Sequence, residues 1–152
     1  MELRLKWHKP LPLTDDSENN GVYAVDLDCI TSTPGVYIFL RVHGEKTECL
    51  YVGKATNLRS RVKTQLNNSK LMQGVKNAAG GKRELVFGEF VAKSGQQKEK
   101  SLLAMERTLI RHYLSKGNQL LNIKGTRIVK NSVSSERPAL KHFIPRMIYY
   151  EK

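Results

Sequence analysis

The chain has 152 residues, 39% of them hydrophobic, which fits one globular domain with a modest core. No apolar run approaches the roughly 20 residues that a membrane-spanning helix needs, and no Cys/His cluster has zinc-finger spacing. The 26 Lys and Arg against 14 Asp and Glu give a net charge of +12, which favours a polyanionic partner, although a ribosome-associated protein or a merely soluble basic surface would share it.

The two cysteines, Cys29 and Cys49, are too few for a disulfide framework, and we expect both to be packed thiols. The first residues of the chain lack the apolar core of a signal peptide. We therefore expect a cytoplasmic protein that does not associate with a membrane.

The N-terminal residues 1–33 carry little chemistry that can be recognised. Leu3, Leu5 and Trp7 share one parity, and this pattern indicates a strand or an extended arm that ends at the prolines which follow. Residues 22–30 allow another short strand.

The next stretch predicts two strands joined by a polar turn. Apolar residues alternate over residues 35–42 and again over residues 49–52. If the turn centres on Gly44, Tyr37 and Tyr51 lie directly opposite each other on one face of the hairpin. A turn with an even loop would separate them.

A basic helix follows the second strand, and Thr56 or Asn57 can cap it. Its apolar stripe recurs every four residues, at Leu58, Val62 and Leu66. Arg59 and Arg61 flank that stripe on opposite sides, and the helical wheel does not decide which of them faces a site.

Residues 69–79 predict a short helix that ends at a pair of glycines. Lys82 and Arg83 come next, and we expect this basic loop to contact a nucleic-acid backbone. Residues 85–91 predict a third strand.

The helix predicted over residues 97–115 carries a carboxylate inside its apolar arc. The arc consists of Leu102, Leu103, Leu109, Ile110, Tyr113 and Leu114. At about 100° per residue, Glu106 falls near the middle of that arc. A carboxylate is costly to bury unless it is paired or binds a metal, so position alone supports equally a salt bridge to Arg61 or Arg107 and a metal ligand.

Taken in order, these motifs resemble the GIY-YIG nuclease superfamily. Gly35-Val36-Tyr37 opens the first strand and Tyr51-Val52-Gly53 ends the second. The match continues through the helix at 54–66, resumes at Leu102-Leu103-Ala104-Met105-Glu106 and reaches Asn122. The run over residues 54–62 is most similar to the branch found in excision-repair incision subunits.

The resemblance implies a set of catalytic residues, namely Tyr37, Tyr51, Lys54, Arg61 and Glu106, with Asn122 in support. In the family pattern the arginine directly precedes the apolar residue held here by Val62, so Arg61 takes its role. Arg59 and Lys63 then form a ridge that contacts phosphates. Glu106 is implied to hold one divalent ion, Mg²⁺ or Mn²⁺, which water and phosphate otherwise coordinate.

The two tyrosines are implied to activate or position the attacking water. The reference pKa of tyrosine is about 10, and we expect Lys54 and Arg61 to lower it. Tyr37 is slightly preferred as the base. Some members of the family place a histidine one turn after the arginine, where this chain has Gln65.

The implied fold is α+β: a small GIY-YIG domain with a central antiparallel three-stranded sheet flanked by helices. We assign residues 34–122 to this domain and residues 1–33 to an N-terminal extension. Residues 123–152 form a basic C-terminal extension that packs back on the same domain, with an added strand near its end.

The leading hypothesis is a metal-dependent DNA endonuclease with modest sequence specificity, acting on single-stranded, duplex or branched DNA. No helix-turn-helix or zinc finger is recognisable. One alternative is a basic nucleic-acid-binding module without catalysis. Another is a nuclease that is active only with a protein partner that recognises the site.

Overall fold

The computed structural model describes residues 2–122, 130–134 and 147–151. The first seven strands are β1 (Arg4–Trp7), β2 (Leu11–Pro12), β3 (Thr14–Asp15), β4 (Tyr23–Ala24), β5 (Gly35–His43), β6 (Lys46–Ala55) and β7 (Lys82–Val91). The helices are α1 (Leu58–Leu66), α2 (Ser69–Lys76) and α3 (Lys98–Ser115). These elements confirm the predicted α+β class. None of the helices in the described residues is long and apolar enough to cross a membrane.

The main sheet is antiparallel, with the order β1-β7-β5-β6, and β2 pairs with β7 as well. The three predicted central strands, β5, β6 and β7, are confirmed. The sheet is wider than predicted because the N-terminal extension adds β1 and β2 along the outer edge of β7. Pro12 is tolerated in β2 because an edge strand leaves some N–H positions without a partner.

The β5–β6 hairpin has a two-residue loop, because His43 pairs with Lys46. Gly44 in this loop has a φ of 61°, which glycine adopts without strain. A bulge then shifts the register beyond Leu40, so that Tyr37 lies opposite Gly53 and Tyr51 lies opposite Phe39. The expectation that the two tyrosines face each other directly is therefore wrong, although both still project from one face.

Helices cover both faces of the sheet. The face that carries Tyr37 and Phe39 packs against α1 and α2. The other face carries Val36, Ile38 and Val52 and packs against α3. The two helical layers therefore lie on opposite faces of the sheet.

Side chains and one backbone amide cover the free edge of β6. Asn118 Oδ1 accepts a hydrogen bond from the N–H of Cys49 at 2.8 Å, and the N–H of Leu121 donates to the carbonyl of Leu50 at 2.8 Å. Asn122 makes two bonds to one residue: its Oδ1 accepts from the N–H of Val52 at 2.8 Å, and its Nδ2 donates to the Val52 carbonyl at 2.6 Å. The segment after α3 thus satisfies an edge that no strand pairs among the described residues.

The N-terminal end of α1 is fastened to the preceding loop. The N–H of Leu58 donates to the carbonyl of Thr33 at 3.0 Å, and the N–H of Arg59 donates to that of Thr31 at 3.1 Å. The N–H of Ser60 donates to Asn57 Oδ1, the predicted cap, at 3.1 Å. Because these backbone donors already have partners, this helix end does not offer them to an anion.

The C-terminal extension is described only at two short strands. The described parts of the C-terminal extension are β8 (Lys130–Ser134) and β9 (Met147–Glu151), which pair with each other and confirm the added strand. The rest of that extension lies outside the described residues.

Cys49 is buried as expected, but Cys29 is exposed, so the expectation of a packed thiol there is wrong.

Arg83 does not contact solvent as a nucleic-acid-binding residue would. Only 9% of it is exposed, because β7 begins at Lys82 and gives Arg83 the inward parity of Leu85 and Phe87. Its guanidinium donates hydrogen bonds to the carbonyl oxygens that follow the end of α2 or belong to its last turn, at Val75, Lys76, Ala78, Ala79 and Gly81. The expected role in nucleic-acid binding is therefore replaced by a role in ending α2, which stops at Lys76 rather than residue 79.

Replacing Arg83 with alanine is expected to lower the free energy of unfolding by roughly 2–4 kcal/mol, because several buried carbonyl groups lose their donors. Arg83→Lys should recover little of this loss, since an ammonium group cannot reach the same set of acceptors. Urea unfolding measures both effects. The neighbouring Lys82→Ala is the control and should stay within roughly 0.5 kcal/mol of the unmodified protein; an equal loss in both variants would contradict the assignment.

Candidate active site

A cleft of about 480 Å³ lies at the end of β6, between α1 and α3. Its lining brings together five residues that the sequence predicted as a catalytic set: Tyr37, Tyr51, Lys54, Arg61 and Glu106. The remaining lining residues are Gly53, Ala55, Thr56, Asn57, Ser60, Thr64, Glu99 and Leu102.

The cleft draws on both faces of the sheet. Tyr37 and Tyr51 project from the face that packs against α1, whereas Lys54 pairs with Val36 and projects from the face that packs against α3. Residues on opposite faces converge here because β6 is the edge strand and its last residues have helices on either side.

Glu106 is partly buried on α3 and accepts a hydrogen bond from the backbone N–H of Lys54. Burial raises the pKa of its carboxyl group, while the charges of Lys54, Arg107 and Arg61 and the Lys54 N–H act against that rise. Within residues 2–122 Glu106 takes part in no salt bridge. The internal ion pair to Arg61 or Arg107, one of the two alternatives for this residue, is therefore not observed.

The two tyrosine rings lie 6.2 Å apart between centroids and are inclined by 28°. Tyr37 is completely buried, and Tyr51 is half-buried. Gln65 Nε2 donates to the hydroxyl of Tyr37 at 2.7 Å and to that of Tyr51 at 3.3 Å. The sequence signal for this contact is the position of Gln65 seven residues after Leu58, which puts it on the buried face of α1.

Burial raises the pKa of Tyr37 to about 12, with a further rise from neighbouring Tyr51 and opposing effects from Gln65 and Arg61. Arg61 lowers this pKa as expected, but desolvation of the phenolate outweighs its effect, so the expected net lowering of the pKa is wrong. Tyr37 is therefore protonated at neutral pH, which counts against the slight preference for it as the base.

Helix α1 forms one wall of the cleft. Arg61 lines the cleft and is exposed, whereas Arg59 lies outside it and donates through Nε to the carbonyl of Ile30 at 2.8 Å. Ser60 and Thr64 on the same wall are hydroxyl residues that sequence reasoning missed, although their spacing from Asn57 is helical.

The other predicted nucleic-acid contacts do not line the cleft. Lys63 is exposed on α1 outside the lining. Lys82 pairs with Val42, six residues along β5 from the Val36 that pairs with Lys54, which puts it roughly 20 Å away.

Asn122 is also absent from the cleft lining, where a directly catalytic residue would belong. It is 1% exposed, and its amide holds both polar backbone groups of Val52. Val52 is two residues before Lys54, whose N–H holds Glu106. These two hydrogen bonds tie Asn122 to the strand that carries the site, and its supporting role in catalysis stays a prediction.

Glu99 is a further cleft residue that sequence reasoning missed. It lies in the first turn of α3, seven residues before Glu106, and this spacing puts both carboxylates on one side of the helix.

Comparison with known proteins gives a consistent family assignment. Residues 33–119 match the model of the UvrC-like GIY-YIG domain. The UvrABC system protein C of Mycoplasma capricolum subsp. capricolum is 35% identical over 96 residues, which cover 63% of this chain and 15% of that protein. The chain thus spans a small part of the length of this relative. No solved structure matches.

Glu106→Gln is expected to raise the melting temperature of the metal-free protein by a few degrees. Because folding raises the pKa of Glu106, the stabilising effect of its protonated form is complete below the unfolded pKa and is lost as pH rises through the folded pKa. At neutral pH the buried carboxylate therefore lowers the free energy of unfolding, and glutamine removes its charge.

Thermal melts with EDTA at neutral pH and below the glutamate reference pKa of about 4.3 check this expectation. The gain should shrink at the lower pH, where the carboxyl group of the unmodified protein is neutral as well. Glu45→Gln in the exposed β5–β6 turn is the control, with no expected gain. A lower melting temperature for Glu106→Gln at neutral pH would contradict the assigned cost of burial.

Gly53→Ala is expected to destabilise the protein by roughly 1–3 kcal/mol and to displace the Tyr37 ring. A Cβ atom at position 53 would lie 2.2 Å from Tyr37 Cζ and 2.3 Å from its hydroxyl. Gly80→Ala is the matched control, because a Cβ there meets no atom within 4 Å. Chemical denaturation measures stability, and near-ultraviolet circular dichroism reports the tyrosine environment; equal behaviour of the two variants would refute the close contact.

Proposed function

This chain belongs to the UvrC-like GIY-YIG domain family, and from that membership we propose that it is an endonuclease that hydrolyses phosphodiester bonds in DNA with a divalent metal ion. The observation that carries the proposal is the single cleft lined by two phenols, two cations and a partly buried carboxylate. A protein that only binds nucleic acid has no need for a costly carboxylate beside its phosphate site.

Phosphodiester hydrolysis requires a positioned water, stabilisation of charge at phosphorus and departure of the leaving oxygen. The exposed guanidinium of Arg61 supplies the charge stabilisation, because its planar fork binds two phosphate oxygens at once. Lys54 adds a second positive charge from the end of β6.

The phenols orient the attacking water. Tyr37 is buried and protonated, so it serves as a hydrogen-bond donor. Tyr51 reaches the cleft from the same face and is half-buried, so it is the phenol accessible to a water molecule. This arrangement favours Tyr51 over Tyr37 as the group that accepts a proton.

Glu106 would hold the metal ion. Among the described residues no group of three or more His, Cys, Asp or Glu side chains could hold a metal ion, and the cleft offers the carboxylates of partly buried Glu106 and exposed Glu99. Mg²⁺ or Mn²⁺ fits such a donor set, because Mg²⁺ retains several waters and needs few protein ligands. When bound, the ion supplies positive charge that stabilises developing charge on the phosphate oxygens.

The proposed substrate is DNA recognised with modest sequence specificity, in single-stranded or branched form. Arg59 and Lys63 extend the positive charge of α1 beyond the cleft and contact the backbone of a bound strand. Lys82 lies far from the cleft, so only a longer DNA substrate would contact it. Similarity to a UvrABC system protein supports a role in DNA repair.

A second candidate function is nucleic-acid binding without catalysis. The net charge of +12 favours it as much as it favours a nuclease. The two candidates differ in what Glu106→Ala does, since a pure binder keeps or gains affinity when a negative charge is removed from its phosphate site.

The test is cleavage of labelled single-stranded, duplex and forked DNA by the purified chain with Mg²⁺, Mn²⁺ or EDTA. Metal-dependent cutting is expected, and Arg61→Ala and Glu106→Ala should each reduce its rate by roughly 10²-fold or more. Arg4→Ala and Glu45→Gln, which change exposed residues outside the cleft, are matched controls for charge.

Binding of the same DNAs is measured in parallel, by fluorescence anisotropy in EDTA. Retained binding with no cutting of any DNA form, at any metal, would reject the nuclease proposal for the isolated chain and favour the binding module or a partner-dependent enzyme. Equal cutting by Glu106→Ala would reject the assignment of the metal ligand.

A further inference from the structure

Gln65 is a buried polar residue that no catalytic role accounts for. It lies on α1 and is 3% exposed. Its side-chain nitrogen contacts two hydroxyl oxygens, at 2.7 Å on Tyr37 and 3.3 Å on Tyr51. A buried amide must find partners, and here both are groups of the proposed active site.

The donor and acceptor roles in these two contacts constrain where the phenol protons point. An amide NH₂ group has two hydrogens, one for each phenol oxygen. A phenol oxygen that accepts a hydrogen bond from this group directs its own O–H elsewhere. Since both tyrosines line the cleft, an O–H that turns away from Gln65 is directed towards the cleft side.

The rest of the surroundings holds the same geometry. Tyr37 on β5 lies opposite Gly53 on the neighbouring strand β6. A side chain at position 53 would clash with the ring of Tyr37. The ring of Tyr37 is also within 6.2 Å of that of Tyr51, so one anchor can serve both phenols.

We propose that Gln65 is a positioning residue whose amide donates to both tyrosine hydroxyls, so that the two O–H groups point into the cleft and a phenolate formed there keeps a hydrogen-bond donor. This inference rests on the proposed nuclease function for its catalytic consequence. The pair of hydrogen bonds from Gln65 to the two tyrosine hydroxyls, here called the clamp, is a property of the folded protein. It can therefore be tested without measuring activity.

The first measurement is hydrogen exchange of the Gln65 side-chain amide by NMR in the unmodified protein. Its protons should exchange at least tenfold more slowly than those of Gln73, which is exposed on α2. Tyr37→Phe should remove most of this protection, because the shorter of the two hydrogen bonds is lost. Exchange as fast as that of Gln73 would overturn the clamp, since it would mean that the amide oxygen faces the phenols instead.

The second measurement is the pH dependence of cleavage by Gln65→Met, which keeps the length of the side chain but has no donor. The kcat should fall on the order of tenfold with little change in KM for DNA, and the rise of the rate with pH that deprotonation of Tyr51 controls should move to higher pH. Gln65→Glu should be slower still at neutral pH, because an ionised carboxylate only accepts hydrogen bonds and turns both phenol protons towards itself.

Gln73→Met is the matched control, with an unchanged rate and pH profile. A Gln65→Met variant with the kcat and the profile of the unmodified protein would overturn the catalytic part of the inference. If the unmodified chain cuts no DNA, the nuclease proposal fails, and the exchange measurement alone then supports or overturns the clamp.

Discussion

The free edge of β6 is the constraint on which both the fold and the cleft depend. A sheet edge leaves backbone donors and acceptors that require partners when they are buried. Here residues after α3 form hydrogen bonds with the backbone of Cys49, Leu50 and Val52. The carboxylate of Glu106 accepts from the next outward-facing N–H, that of Lys54. The residue proposed to bind metal is therefore also part of the edge covering, and its position is set by the sheet rather than by a flexible loop.

This shared use has an energetic consequence. The N–H of Lys54 and the surrounding positive charges favour the ionised form of Glu106, yet burial outweighs them and raises its pKa. The same imbalance operates at Tyr37, where desolvation exceeds the effects of Gln65 and Arg61. Both groups are thus held in surroundings that disfavour their charged forms.

Much of the fold could be predicted from the sequence, because the alternation in β5 and β6 and the helical spacing in α1 and α3 are local signals. The register of the hairpin could not, since it depends on a two-residue loop and on a bulge that leaves no compositional mark. Arg83 was assigned to a loop because of the glycines before it, although its parity with Leu85 already indicated an inward side chain. In the site, the ordered motifs identify the chemically reactive residues. Gln65 is recognisable from the sequence only as a departure from a family histidine, and Glu99 is not recognisable at all, because their importance lies in what they face across the fold.

The attachment of α1 to the loop before β5 bears on where this domain can be cut from its chain. Thr31 and Thr33 accept the first two helical N–H groups, and Ile30 accepts from Arg59. Thr33 also donates to Glu89, which contacts His8. A protein shortened to begin at residue 34 would keep every catalytic motif but would lose the acceptors that orient the helix carrying Arg61, so the smallest autonomous unit is larger than the motif that identifies it.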